Sequence, residues 1–409
     1  MTSPVYILGG HQSDFARAWS RQGQDISDMI RESVNGALAA SGVPVGDVQS
    51  IHVGNAFAEL QRGQAHLGAM VSSVVPELWG VPAMRHEGAC ASASLAVLTA
   101  MAEIEAGRYD CILVVGAEEL KNLPGDVSSS NQNAAGWQGR EGIDCRFLWP
   151  AAFGLVGQEY ERRYGLDRRY LNRIAEINYG NAKRNTLAQT RNWKFDERSF
   201  TDDDEANPII EPGTRRQDCG QITDGACTLL LASARYAAEH ARRNGSALER
   251  LPRISGWGHR NAGLRVIDKL ERSRGEPYVF PHLRAAITDA YRRAGIDGPA
   301  QLDAIETHDC FTTTEYTAID HFGLTPPGQS WQAVDSGMIE MGGKLPINPS
   351  GGLIGCGHPV GATGTRLLLD AARQVSGQAG EYQVAGARRV ATLNIGGSCA
   401  TVVSFVVEC

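Results

Sequence analysis

Two residues of this chain have the type and the setting needed to act on a carbonyl group. Cys90 lies in the segment GACASAS, directly before an apolar run over 95–104 that predicts a helix. Because free N–H groups at a helix start favour negative charge, this position predicts a nucleophilic thiolate. His358 lies in GCGHPVGATG, between a glycine-rich turn and another predicted helix. An imidazole held there could take the proton of the thiol.

A third segment, IETHDCFTTTEY, adds more polar chemistry at the end of a predicted strand over 305–307. His308, Cys310 and Phe311 follow that strand directly. Strand ends and the loops after them are where α/β folds place reactive groups. Two thiols and two imidazoles are enough to activate a nucleophile, hold an oxyanion and move a proton. The segments are far apart in sequence, so only the fold can bring them together.

The composition predicts a globular protein and excludes several function classes. The chain has 409 residues, 42% of them hydrophobic, which is enough for one large core or two joined ones. A net charge of −7 without a basic stripe argues against nucleic acid as a partner. Nine cysteines without CxxC spacing argue against a disulfide framework and against a metal site, and favour a reducing, cytoplasmic setting. The absence of an 18-residue apolar run argues against a membrane span.

Strand and helix signals recur in the same order in the two parts of the chain, which predicts two similar layered α/β halves. Apolar runs without alternation, such as CILVV and VATL, are typical of strands covered on both faces. The first part reads strand 5–8, helix 26–40, strand 48–53, helix 91–106, strand 111–115, with 226–231 as its closing strand. The second part reads strand 252–256, helix 283–294, strand 302–307, helix 361–375, strand 389–393, with 400–407 as its closing strand.

A long insertion separates the last two strands of the first half. We therefore divide the chain into a first half (1–119 and 224–250), an inserted loop domain (120–223) and a second half (251–409). Insertions of this size usually carry function. A basic run over 178–194 contains Arg184, which could contact the phosphates of a nucleotide tail, although such runs are more often solvated surface.

The three motifs together resemble the thiolase family, in the branch similar to the thiolase portion of sterol carrier protein 2. GHPVGATG around His358 is similar to the histidine motif of that family, and Cys90 lies where thiolases carry the acylated cysteine. HDCF, from His308 to Phe311, marks the branch. The resemblance spans nearly the whole chain. It implies an α/β fold, a five-layered αβαβα sandwich of two similar halves with a loop domain inserted in the first, assembled as a homodimer or homotetramer.

The resemblance also implies the reaction and its residues. Acyl-CoA thioesters and free CoA would be the substrates, as in fatty acid β-oxidation, with no metal and no covalently bound cofactor. His358 would take the proton of Cys90, whose sulfur becomes acylated. The backbone N–H groups of Cys90 and Gly396 would hold the oxyanion, and His308 with His358 would hold the enolate oxygen. Phe311 would contact the substrate.

One position departs from the common thiolase pattern. Many thiolases place a second reactive cysteine in a CxG motif, where this chain has Asn394-Ile395-Gly396. The resemblance nominates Cys310 of HDCF as its replacement in proton transfer. Cys356 and Cys399 also lie beside the motifs and remain alternatives.

Three other functions remain open at the level of sequence. A β-ketoacyl synthase has a similar layout with one cysteine and two histidines. An aldolase-type carbon–carbon lyase of this fold would work on CoA-linked substrates with a small accessory subunit. A catalytically silent scaffold would bind CoA esters without turnover. Acyl chain length, steroid specificity and the direction of the reaction depend on the inserted loop domain, whose shape the sequence does not give.

Overall fold

The computed structural model describes residues 4–142 and 144–409. Its strands are β1 (Val5–Gln12), β2 (Ser50–Gly54), β3 (Ala83–His86), β4 (Cys111–Glu118), β5 (Ile209–Glu211), β6 (Thr214–Arg215), β7 (Gly225–Ser233), β8 (Arg253–Asn261), β9 (Ala304–Thr307), β10 (Arg389–Gly396) and β11 (Thr401–Glu408). Its helices are α1 (Ile26–Ser41), α2 (Ala58–Arg62), α3 (Leu67–Val74), α4 (Ser92–Glu105), α5 (Gly125–Gln132), α6 (Leu148–Tyr164), α7 (Arg169–Ala182), α8 (Ala234–Arg243), α9 (Val266–Arg272), α10 (Pro281–Ala294), α11 (Thr312–Phe322), α12 (Trp331–Asp335) and α13 (Thr363–Ser376).

The first half is built on five strands in the order β3-β2-β4-β7-β1. Strand β2 runs parallel to β3 and β4, whereas β4 and β7 are antiparallel, as are β7 and β1. Every residue of β4 is buried, as its uninterrupted apolar sequence predicts. The sequence did not predict β3, because this short edge strand is partly exposed and carries no apolar run.

The second half repeats this plan with four strands in the order β8-β11-β10-β9. Strands β9 and β10 are parallel, and β10 with β11 forms the closing hairpin expected from the sequence. The two half-sheets meet at a short antiparallel contact in which Val5 pairs with Ile254 and Tyr6 with Arg253. This contact joins them into one nine-stranded sheet.

Three apolar cores separate the layers. The outer face of the first half-sheet packs against α1 and α3. The inner faces of both half-sheets share one core with α4 and α13, which lie side by side between them. The outer face of the second half-sheet packs against α10 and α11. The αβαβα layering implied by the sequence is therefore confirmed.

The starts of α4 and α13 approach each other closely in the middle layer. A Cβ at Gly364, in the first turn of α13, would overlap the backbone nitrogen and Oγ of Ser94 in the first turn of α4. Only glycine leaves room for this approach. The consequence is that both helix starts, one from each half, point into the same region of the molecule.

The insertion between β4 and β7 packs mainly on the second half. Its helices α6 and α7 contact α11, and Phe153, Tyr160 and Ile174 belong to the same core as α10. The insertion therefore begins in the first half and packs on the second half, which connects the two. Among the described residues, no helix combines the length and the apolarity that a bilayer crossing requires.

Candidate active site

Cys90 lies in a short 3-10 turn, Ala89–Ala91, that leads directly into α4. Ala89 adopts a left-handed conformation with φ +51°, which is costly for a residue with a Cβ. The side chain of Ser92 stabilises this turn, because its Oγ accepts from the N–H of Gly88 at 3.0 Å and donates to the carbonyl of Ala89 at 2.6 Å. Such local strain is typical of functional sites and fixes the direction of the thiol.

His358 is held by contacts from both sides of its motif. Its backbone N–H donates to Oγ1 of Thr223 at 2.9 Å. The turn before it is held by Asp309 of the HDCF segment, whose carboxylate accepts from the N–H groups of Leu353 and Ile354. The aspartate of one motif therefore positions the histidine of another.

Cys90 and His358 meet across the middle layer. Nε2 of His358 lies 3.3 Å from Sγ of Cys90. Nδ1 of His358 lies 2.8 Å from Oγ1 of Thr363, which donates its own proton to the carbonyl of Pro359 at 3.3 Å. The hydroxyl therefore accepts from Nδ1–H, and the lone pair of Nε2 faces the thiol. This tautomer is the one a general base needs.

Burial keeps this pair neutral at rest. Burial raises the pKa of Cys90 to about 12, although the backbone N–H of Gly397 opposes the shift. Burial and then the charge of Arg366 lower the pKa of His358 to about 3. The sequence had predicted a resting thiolate, and the structure differs because loss of solvation outweighs the helix start.

His308 is fully buried behind the pair, with its ring edge-on to that of His358 at a centroid distance of 5.2 Å. Its Nδ1 lies 3.2 Å from Nδ2 of Asn394, and Oδ1 of Asn394 accepts from Oγ of Ser94 at 2.7 Å. The amide thus donates to Nδ1, which places the ring proton on Nε2. Within the described part of the chain, Nε2 has no hydrogen-bond partner. It is a neutral donor, because burial lowers the pKa of His308 well below its usual value.

A cavity of about 140 Å³ opens over the sulfur. The two halves contribute Cys90, Cys310, Phe311 and His358, and the insertion contributes Trp149, Phe153 and Cys219. A second cleft of about 310 Å³ lies against it, and the two share the wall residues Phe57, Ala89, Ala135 and Gly397. The inner cavity is largely apolar, with the reactive groups at its floor.

Gly396 and Gly397 occupy different places relative to this cavity. Gly396, which the sequence analysis nominated, is the last residue of β10, lies opposite Thr401 and lines only the outer cleft. Gly397 lines both spaces, and its backbone N–H opposes the rise that burial causes in the pKa of Cys90. The difference arises because Gly396 still follows the strand, whereas Gly397 turns away with φ +58°.

Of the other residues nominated from the sequence, some line the cavity and others lie outside it. Cys310 and Phe311 line the cavity. Cys356 and Cys399 are buried outside its wall, Cys356 against the side-chain amides of Gln12 and Asn185. Arg184 is exposed in a separate groove of about 590 Å³ and donates to Oδ1 of Asn181, so the structure does not bring it to the cavity.

Three contributors escaped the sequence analysis. Asn394 sits at the position of the missing CxG cysteine and orients His308. Thr363 orients His358. Glu118, fully buried at the end of β4, accepts from the N–H groups of Ala56 at 2.9 Å and Gly361 at 3.0 Å, and so ties the His358 motif to the first half. The asparagine at position 394, where the CxG motif has cysteine, was the one sequence signal for this network.

The sequence matches two family models in succession. The model described as "Thiolase, N-terminal domain" covers residues 5–198, and the model described as "Thiolase C-terminal domain-like" covers residues 266–408. The two layered halves, with Cys90 and His358 in contact between them, agree with these two models. The chain belongs to the thiolase family.

Two curated relatives extend this assignment. The acetyl-CoA acetyltransferase of Methanothermobacter thermautotrophicus is 29% identical over 403 residues, covering 97% of each chain. Human sterol carrier protein 2 is 28% identical over 412 residues, covering 98% of this chain and 71% of the relative.

Solved structures share the fold. Human mitochondrial 3-ketoacyl-CoA thiolase superposes with a TM-score of 0.73 at 14% identity, covering 100% of this chain and 99% of the other. An Ltp2–ChsH2(DUF35) aldolase superposes with a TM-score of 0.76 at 18% identity, covering 99% and 98%. At these identities the likeness concerns the fold alone.

Proposed function

We propose that this protein is an acyl-CoA acyltransferase of the thiolase type. It cleaves 3-ketoacyl-CoA with free CoA, or condenses two acyl-CoA molecules, through an acyl group carried on Cys90. The observation that carries this proposal is the 3.3 Å approach of the unprotonated Nε2 of His358 to the Cys90 sulfur. The relatives named acetyl-CoA acetyltransferase support the same chemistry.

In the first half-reaction, His358 removes the thiol proton as the sulfur attacks the carbonyl carbon. Because the resting pair is neutral, charge develops only during the attack. The N–H groups of Cys90 and Gly397 both oppose the rise in the pKa of the Cys90 thiol, which supports them as donors to the developing oxyanion beside the Gly396 N–H that the family resemblance implies. A donor of this kind contributes about 3 kcal/mol in enzymes that depend on one.

In the second half-reaction, a carbon–carbon bond forms or breaks next to a thioester carbonyl. Nε2–H of His308 has no protein partner within the described residues, which supports its role as a donor to the enolate oxygen. Cys310 supplies or removes the proton at carbon, and its place in the cavity wall supports this role over Cys356 and Cys399.

The two adjoining spaces suit the two parts of the substrate. The inner cavity takes the acyl group next to Cys90 and Phe311, and the outer cleft takes the pantetheine arm. No resident metal or prosthetic group takes part in these steps. We further propose that the protein acts in the cytoplasm as a homodimer or homotetramer, and that residues 120–223 form the loop domain that selects the acyl chain.

An aldolase-type lyase with an accessory subunit is the second candidate, since one solved structure of this fold bears that name. The contact between Cys90 and His358 favours acyl transfer, because a retro-aldol cleavage needs no acylated sulfur. A β-ketoacyl synthase is distinguished by turnover with a decarboxylating malonyl donor.

The decisive experiment is mass spectrometry of the protein incubated with acetyl-CoA and a series of 3-ketoacyl-CoAs. We expect the added acyl mass on the peptide that contains Cys90, and none in Cys90→Ala. Cys145→Ser, which changes a thiol outside the cavity, is the matched control and should acylate normally. Acylation at another cysteine alone would overturn the mechanism, and absence of any acylation would favour the silent scaffold.

A further inference from the structure

The reactive groups of the cavity also form a set of metal ligands. Sγ of Cys90, a ring nitrogen of His308 and a ring nitrogen of His358 all lie within 4.8 Å of one another. One thiolate and two imidazoles are the ligand types that zinc prefers. The expectation of no metal site came from spacing along the sequence, which does not detect ligands drawn from three distant segments.

One of the three distances already fits a tetrahedral ion, and the other two fit after a small movement of His308. Zinc bonds of about 2.3 Å to sulfur and about 2.0 Å to nitrogen place two ligands of one ion roughly 3.3–3.6 Å apart. The 3.3 Å between His358 and Cys90 already meets this requirement. A ring nitrogen of His308 lies within 4.8 Å of the other two ligand atoms and needs to approach by up to about 1.5 Å. Nε2 of His308 is fully buried and has no competing partner among the described residues.

The hydrogen bonds behind both histidines allow ligation. Thr363 already leaves the lone pair of His358 Nε2 facing the sulfur. For His308 the proton must move from Nε2 to Nδ1, which requires the Asn394 amide to turn over. Ser94 permits this, because its hydroxyl can accept from Nδ2 as readily as it donates to Oδ1. One amide rotation therefore changes His308 from a donor into a ligand.

We propose that Cys90, His308 and His358 bind a zinc-class divalent cation, with the fourth position open to the cavity for water or an external thiol. Binding releases the thiol proton to solvent as the sulfur–metal bond forms, and no electron is transferred. An open position distinguishes this site from a closed structural zinc site. Bound metal occupies the nucleophile, so it acts as a reversible inhibitor. That consequence rests on the proposed acyltransferase function, whereas the binding does not.

The test is titration of the metal-free protein with Co²⁺ under anaerobic conditions, followed by displacement with Zn²⁺. We expect one equivalent with the intense visible bands of four-coordinate cobalt and a sulfur-to-cobalt charge-transfer band. Cys90→Ser should lose the charge-transfer band. His308→Asn, which retains a polar side chain, should lose the four-coordinate bands. Asn394→Ala should weaken binding by about 10–100-fold, the usual effect of removing a partner that orients a ligand. Cys145→Ser should leave the spectrum unchanged.

The outcomes separate the metal site from the proposed reaction. Spectra unchanged by Cys90→Ser, or a wild-type spectrum of six-coordinate cobalt only, would overturn the metal site. Prior incubation with acetyl-CoA should abolish cobalt binding where Cys90 is acylated. If cobalt binds as described but no acyl group is ever transferred, the metal site stands and the acyltransferase proposal fails.

Discussion

The reactive sulfur and imidazole form a neutral pair whose direction is set by neighbouring hydroxyl and amide groups. Thr363 leaves the lone pair of His358 Nε2 free to face the thiol, and Asn394 leaves the ring proton of His308 on Nε2. Neither His308 nor His358 carries charge at rest, because burial disfavours it. The site thus holds one base and one donor of the same residue type, distinguished by what lies behind each ring.

The pH dependence of Cys90 alkylation follows from its raised pKa. With a pKa of about 12, the thiolate fraction should rise about tenfold for each pH unit between pH 6 and 9, without a plateau. The measurement is the rate of iodoacetamide labelling at Cys90, followed by peptide mass spectrometry. A plateau with a midpoint at or below neutral pH would show instead a thiolate–imidazolium pair.

Replacing Cys310 should separate the two half-reactions. Cys310→Ala should still allow acylation of Cys90 but should reduce thiolysis and condensation at least 100-fold, within the usual range for loss of an acid or base. Acyl-enzyme formation and steady-state turnover are measured on the same sample. Cys399→Ala, which changes a buried cysteine outside the cavity wall, is the control. Normal turnover by Cys310→Ala would assign proton transfer to another group.

The sequence named Cys90, Cys310 and both histidines because each belongs to a recognisable motif. It did not give the roles of Thr363 and Asn394, since tautomers depend on partners that only the fold supplies. It also misjudged the charge state of Cys90, because desolvation depends on packing from segments far away in the chain.

At the scale of elements, two helix starts from different halves create the site. Periodicity and apolar runs predicted α4 and α13 to within a few residues. Helix α1 begins where predicted because the carboxylate of Asp25 caps it, accepting from the backbone N–H of Ser27 at 2.8 Å. The edge strand β3 was missed because its residues show neither alternation nor burial. The contact of Gly364 with Ser94, which lets α4 and α13 approach closely, could not be predicted from the sequence.

A methyl group at Gly364 should push these helix starts apart. We expect Gly364→Ala to destabilise the protein by about 1–3 kcal/mol, the usual cost of overpacking, and to lower turnover by lengthening the contact between Cys90 and His358. Urea unfolding and steady-state kinetics measure the two effects. Gly46→Ala is the matched control, since a Cβ there meets no atom within 4 Å. Equal behaviour of the two variants would show that the approach is not tight.

At the scale of the whole molecule, the insertion and Glu118 connect the two halves in addition to the contact between their sheets. The insertion begins in the first half but shares its core with the second. Glu118 provides a polar connection of the same kind, since its carboxylate accepts from Phe57 at 3.1 Å on one side and from Gly361 at 3.0 Å on the other. The repeat predicted two similar halves. The insertion and Glu118 both belong to the first half only, so the repetition could not predict these links.

Replacing the carboxyl group of Glu118 with an amide should loosen this connection. In Glu118→Gln, one side-chain oxygen is replaced by an NH₂ group that cannot accept, so at least one buried N–H is left unsatisfied at a cost of about 1–3 kcal/mol. We expect Glu118→Gln to lower both the melting temperature and the turnover, although the variant does not change Cys90 itself. Glu249→Gln, at an exposed position, should change neither. A fully active and stable Glu118→Gln would show that other contacts position His358.

The distribution of the catalytic segments along the chain bears on biosynthesis. The cavity wall includes residues from Phe57 to Gly397, and strand β11, which follows Gly397 in the sequence, pairs with β8. Domains emerging from the ribosome fold in order of synthesis, so Cys90 is made long before its base and its donor. During synthesis Cys90 therefore exists first without the burial that raises its pKa in the folded protein, and the cavity is complete only after β11 has paired with β8.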